Sequence, residues 1–172
     1  VTKGHAYVVS LPRGKEEAGG LSVINVSDPA HPVLVTRVTL PNDNYWNGVW
    51  AKGDALYVAS GDSGVIIYDI TNPADPRYVR ALPGGSINVH TVFVEGDRLY
   101  AMSPSSGATF MFDVTLPLEP FLVSRITVPH AQGAYPHDAF AYQGRLYINH
   151  STTGYVVVDV TRPDVTPVLG TY

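Results

Sequence analysis

The feature that most constrains this chain is a phrase that it writes four times. The segments "LSVINVSDP", "VIIYDITNP", "TFMFDVTLP" and "YVVVDVTRP" end on Pro29, Pro73, Pro117 and Pro163, spaced by 44, 44 and 46 residues. Four residues before each proline stand Asn25, Asp69, Asp113 and Asp159, and two before it Ser27, Thr71, Thr115 and Thr161. A second mark keeps the same register: Gly4 with Tyr7, Gly53 with Tyr57, Gly96 with Tyr100, and Gly144 with Tyr147. The first interval between tyrosines is longer because "LPRGKEEAGG" is inserted there. A fixed period of this length is the signature of a chain built from stacked, similar units.

One unit reads as four short β segments. In the second copy these are "NGVWAKG", "ALYVAS", "VIIYDI" and "RYVRAL", separated by turns at Gly53-Asp54, "GDSG" and "TNPADP". Apolar, β-branched and aromatic residues fill the runs, and Gly, Pro, Asn and Asp separate them. No stretch holds a helical period. Four antiparallel strands every 40 to 50 residues is the arithmetic of a β-propeller blade. The chain is therefore expected to be all-β, with about four four-stranded antiparallel blades at approximately 1–44, 45–86, 87–133 and 134–172. Copies two to four each have an inner strand, near residues 47–53, 90–96 and 137–144, whereas the first has only "VTKG" before its second strand. The expectation is a partial ring, with the remaining blades missing and two blade faces left open.

The periodic residues have a local explanation. An Asp or Asn, then Ser or Thr, then Pro closes the third strand and opens a turn, because the Asx carboxyl or amide accepts from backbone donors and proline fixes direction. Recurrence in every unit assigns them to scaffold, and the repeated tyrosine to packing.

These segments resemble the LVIVD repeat, whose pattern is close to L-V-I-V-D-V-S-D/N-P. "SINVHTVFVEGDRLY" and "YPHDAFAYQGRLY" also resemble the choice-of-anchor B branch, in which His opens the inner strand. The resemblance implies a β-propeller from a bacterial or archaeal exported or cell-surface protein, extracellular or periplasmic, and brings no catalytic mechanism with it. The first copy departs from the pattern with Asn25 in place of Asp.

Composition narrows the function classes. With 172 residues and a formal charge of -4, the chain is long enough for a real core and has no basic stripe for nucleic acid. No apolar run approaches the length of a membrane span, and the start lacks the layout of a signal peptide. Cysteine is absent, which removes disulfides and thiolate chemistry. Asn25 and Asn149 open N-x-S sequons that matter only in a eukaryotic secretory route.

Strand order places the second-to-third turns and the links between blades at one end, called here the top. The Asx-Pro turns lie at the other. The top loops "SLPRGKEEAGG", "SGDSG", "SPSSG" and "HSTTG" are the less repetitive ones, and variable loops on a repeated scaffold are where a site belongs. Matching positions at the start of the inner strands hold Asn47, His90 and His137, with His130, Tyr135, Asp138 and His150 nearby in sequence or on the same end. Two readings stay open for His90 and His137: a divalent metal site or metal-dependent enzyme centre at the channel mouth, or imidazoles that bond loop carbonyls. Tyr45 and Trp46 lie in a top link, where they either stack on a sugar or peptide or cover the core. Trp50 aligns with Phe93 and Phe140 and is expected in the core between blades. The insertion "PRGKEEAGG" is expected to be a solvated loop. No G-x-S-x-G elbow is present, so a nucleophilic enzyme is the least supported class. The leading reading is a binding or scaffolding propeller that takes protein or carbohydrate at its top face, with no cofactor other than that open metal site.

Overall fold

The structure is a computed structural model and describes residues 1–12, 19–43, 45–82, 87–130 and 132–172. Most of the inserted loop, residues 13–18, lies outside the described residues, as do parts of the top links.

Each repeat folds into one antiparallel sheet with its strands in chain order. The first sheet holds β1 (His5–Ser10), β2 (Gly20–Asn25) and β3 (Val33–Val38). The second holds β4 (Trp46–Lys52), β5 (Ala55–Ser60), β6 (Gly64–Asp69) and β7 (Arg77–Leu82). The third holds β8 (Thr91–Glu95), β9 (Arg98–Ser103), β10 (Ala108–Asp113) and β11 (Phe121–Thr127). The fourth holds β12 (Asp138–Tyr142), β13 (Arg145–His150), β14 (Gly154–Asp159) and β15 (Val168–Thr171), with one 3-10 turn at Ser151–Thr153. The first sheet has three strands because, among the described residues, no strand pairs with the inner edge of β1, which carries only an isolated bridge from His5 to Thr2.

Strand alternation turns each sheet into a two-faced slab, and the slabs stack face to face. Tyr57, Val65 and Ile67 leave the second sheet forwards and meet Leu99, Ala101, Phe110 and Phe112 of the third. Tyr100, Met102 and Met111 leave the third and meet Leu146, Ile148, Val156 and Val158 of the fourth. Tyr7, Leu21 and Val23 of the first meet Leu56, Val58, Ile66 and Tyr68 of the second. Three cores therefore lie between four sheets. Neighbouring inner strands pack β4 on β8 and β8 on β12, with β1 beside β4, and among the described residues the first and fourth sheets do not pack together to close a ring. The arc is open.

The repeated motif does what its chemistry dictates. The amides of Ser27, Thr71, Thr115 and Thr161 donate to Oδ1 of Asn25, Asp69, Asp113 and Asp159 at 2.9, 2.7, 2.9 and 2.9 Å. Bonds from the side chain and backbone of Thr115, then from the Arg98 guanidinium, hold the Asp113 carboxyl down to about 2. The same pattern at Thr71 and Thr161 lowers Asp69 and Asp159. A register shift falls one or two residues before each of these Asx positions, where the fourth strand carries one extra residue. Such a bulge bends the outer strand and strengthens its twist.

The repeated tyrosine does more than pack. Tyr7 Oη donates to the carbonyl of Pro73 at 2.8 Å, and Tyr57 Oη to that of Pro117 at 2.7 Å. Each hydroxyl thus ties one blade to the Asx-Pro turn of the next.

Trp50 departs from its expected place. Alternation sends Val49 and Ala51 towards the core between the first and second sheets and Trp50 to the other side, where it is 39% exposed. There it tilts against Phe93 at a centroid distance of 4.7 Å, and Phe93 against Phe140 at 5.2 Å. These aligned residues form an aromatic row across three inner strands instead of a buried seam. No helix among the described residues is long and apolar enough to cross a membrane.

Candidate functional site at the channel mouth

The inner strands begin at the top end, and the structure brings their first residues together. Asn47 sits at a break in the ladder, where Trp46 pairs with Ser60 and Gly48 with Ala59. The resulting bulge frees Asn47 from pairing and turns its side chain along the arc. Its Nδ2 donates to the carbonyl of His90 at 3.1 Å and lies 3.2 Å from each ring nitrogen of His90. The backbone amides of His90 and His137 donate to Met102 and Asn149 at 2.8 and 2.9 Å, which anchors both residues to their second strands.

His90 and His137 then meet across the third and fourth blades. Their Nε2 atoms are 3.1 Å apart, with ring centroids at 4.4 Å and planes at 60°. The centroid separation is only a little longer than the nitrogen separation, so the rings do not oppose each other head-on. Asp138 Oδ2 lies 3.7 Å from His137 Nδ1, on the far side of that ring. Burial first, and the neighbouring His137 second, lower the pKa of His90 and favour its neutral form. One set of tautomers satisfies the row: Asn47 donates to His90 Nδ1, and His90 Nε2–H donates to His137 Nε2. His137 Nδ1–H then faces Asp138.

Tyr135 flanks the pair, its ring centroid 6.3 Å from that of His137, and is half-buried. Tyr45 is 39% exposed and lies against Gly61, where an added Cβ would come within 2.9 Å of its ring. It borders the second-to-third turn of its blade. Among the described residues no group of three or more His, Cys, Asp or Glu side chains is placed to hold a metal ion.

Trp46 requires a correction: it is fully buried and offers no face to a ligand. The physical reason is a polar network that draws the indole inward. Trp46 Nε1 donates to Asp43 Oδ1 at 2.6 Å, and Ser60 Oγ donates to the same oxygen at 2.7 Å. Ser60 Oγ in turn accepts from the amides of Asp62 and Ser63 at 3.0 and 2.9 Å. Asp43 is itself buried, and its Oδ2 has no partner among the described residues. Sequence reading missed Asp43 and Ser60. Their only signal was an acidic residue three positions before a tryptophan, which has many meanings.

His150 was expected in a loop and is instead 1% exposed, with neither ring nitrogen partnered among the described residues. It ends β13 where Ser60 and Ser103 end β5 and β9. Its ring lies 5.2 Å from that of His130, whose Nδ1 bonds the carbonyl of Val128 at 2.7 Å. Burial first, then the neighbouring His130, lower the pKa of His150.

Radial antiparallel sheets stacked in order around inner strands define the class: a propeller-type repeat protein, present here as an open arc. Within that class, the LVIVD repeat matches residues 16–40 and 45–81 and supports the assignment of the repeated units. A protein from Lactobacillus plantarum superposes with a TM-score of 0.68 at 12% identity, over 95% of this chain and 51% of that one. A putative 6-phosphogluconolactonase from Bacteroides fragilis gives 0.66 at 10% identity, over 96% and 51%. A chain of a mitotic checkpoint complex gives 0.64 at 18% identity, over 89% and 44%. At these identities the likeness is one of fold. The chain spans about half the length of these structures. No curated protein matches the sequence.

Proposed function

We propose that this arc belongs to a binding or scaffolding propeller of an exported or cell-surface bacterial or archaeal protein, and that it engages protein or glycan at its top end. One observation carries the reading. Homologous positions of three blades, Asn47, His90 and His137, meet in a half-buried polar row at the axial mouth, flanked by Tyr135. The opposite end repeats one self-satisfied turn in all four units. Repetition serves the scaffold, and the end where the units diverge is the end that recognition can shape. The fold neighbour in a mitotic checkpoint complex supports a protein-binding use of this architecture. The cell-surface assignment rests on the resemblance to the LVIVD repeat and its choice-of-anchor B branch.

The test is a glycan array and a cross-linking screen against envelope proteins, read with top-end and bottom-end variants. Tyr135→Ala and His137→Ala should each weaken a hit at least tenfold, and Leu116→Ala, on an exposed Asx-Pro turn, should leave it unchanged. A hit that follows Leu116 and ignores both top residues would overturn the reading.

A further inference from the structure

The channel mouth carries more than a hydrogen-bonded row. We propose that His90 and His137 form a two-imidazole site for a borderline divalent transition ion of the zinc, nickel or copper class. The proposal rests on the reading of the mouth as the functional site and specifies the chemistry that it offers.

The distance is the first argument. A metal bound to two imidazole nitrogens at about 2.0–2.1 Å, with the pair in neighbouring coordination positions at roughly 90–110°, holds those nitrogens about 2.8–3.4 Å apart. The Nε2 atoms of His90 and His137 stand 3.1 Å apart, inside that range. The ring arrangement is the second. Centroids at 4.4 Å and planes at 60°, with the nitrogens 3.1 Å apart, keep the rings from facing each other head-on, so the pair is not closed into a linear N–H···N bond.

The surroundings supply the orienting groups that metal-bound imidazoles need. Asp138 Oδ2, 3.7 Å from His137 Nδ1, needs only a small rotation to accept that N–H and leave the Nε2 lone pair facing the ion. On the other ring, the metal-bound tautomer of His90 carries its proton on Nδ1. Asn47 Nδ2 now stands 3.2 Å from both Nδ1 and the ligand atom Nε2. A half-turn of its amide presents the carbonyl oxygen instead, at the cost of its bond to the His90 carbonyl. Asn47 is thus a positioning residue that suits the free pair in one orientation and the loaded pair in the other. His90 and His137 are both half-buried, so the remaining coordination positions are open to water or to a carboxylate of a bound partner.

Titration of the whole chain, freed of metal, with zinc, nickel and copper salts by calorimetry tests the site. The copper form is also read by electron paramagnetic resonance for nitrogen ligation. One equivalent should bind with two-nitrogen ligation. His90→Gln and His137→Gln should each weaken it at least tenfold while circular dichroism and thermal melting show a folded chain. His31→Ala, at an exposed bottom-end histidine, should change nothing. Asn47→Asp, which replaces the amide donor with an acceptor for His90 Nδ1–H, should tighten binding several-fold. Absence of stoichiometric binding, or binding that survives both glutamine substitutions, would overturn the metal site. The recognition reading fails separately: a chelator-treated chain that keeps a partner sensitive to Tyr135→Ala retains that reading without the metal.

Discussion

Tyr57 and Tyr147 occupy the same place on the second strand of their blades and differ in what covers them. Tyr57 is fully buried under the third blade, and its hydroxyl donates to the carbonyl of Pro117 at 2.7 Å. Tyr147 is half-buried on the forward face of the fourth blade, beside Tyr155 at a centroid distance of 6.2 Å, with no sheet packed over it among the described residues. Replacing either with Phe removes one hydroxyl and leaves the ring. At position 57 the loss is a net hydrogen bond of about 1 kcal/mol, rising towards about 2 kcal/mol as the Pro117 carbonyl loses its partner. In a chain of this size, 1 kcal/mol moves the melting temperature by about 2–4 °C. Tyr57→Phe should therefore lower it by roughly 2–8 °C, and Tyr147→Phe by less than about 1 °C. Tyr7→Phe, which breaks the equivalent bond to Pro73, should resemble Tyr57→Phe. Urea unfolding checks the same ranking as free energy, with an unchanged m-value showing that the compactness of both states is preserved. Equal losses at positions 57 and 147 would refute the argument that interblade bonding, and not the ring alone, fixes the repeated tyrosine.

Two further outcomes follow from backbone geometry and from a buried imidazole. At Gly64, with φ at +84°, an added Cβ would meet the Leu82 carbonyl oxygen at 2.4 Å, whereas at Gly96, with φ at +55°, it meets nothing within 4 Å. Gly96→Ala should lose about 1–2 kcal/mol from the left-handed backbone alone. Gly64→Ala should lose clearly more in the same urea series, and an equal loss would refute the clash. His150 gives a pH effect whose sign is set by its lowered pKa. The unfolded chain takes up the proton first, so stability is complete above the unfolded value of about 6.5 and declines as pH falls towards the folded value. His150→Ser, which installs the residue found at positions 60 and 103, should remove that part of the decline between pH 7 and pH 5. An unchanged slope in urea titrations would count against a buried neutral His150.

The local chemistry was legible in the amino-acid order because it is local. Asp69, Thr71 and Pro73 need only each other to make their turn, so four copies of the motif announced four third-strand ends and the period of the blades. Alternation along "ALYVAS" and "VIIYDI" likewise fixed which residues share a face. The same reading placed Asn47, His90 and His137 on equivalent inner-strand positions, because equivalence follows from the repeat.

Packing decided the rest. Whether His90 touches His137 depends on how far successive blades rotate about the axis, a quantity that no single repeat encodes. Trp46 went into the core because Asp43 and Ser60 supply polar partners beneath the link, and Ser60 is brought there only by strand pairing. Trp50 and Phe93 share a row because three inner strands lie side by side, which turns an apparent core position into a partly open aromatic surface. His150, written in a stretch that reads as loop, is buried because the fourth blade presses that strand end against the third. A repeat specifies its own hydrogen bonds through neighbours in sequence, whereas contacts between repeats are set by the geometry of stacking, and the candidate site is made of those contacts.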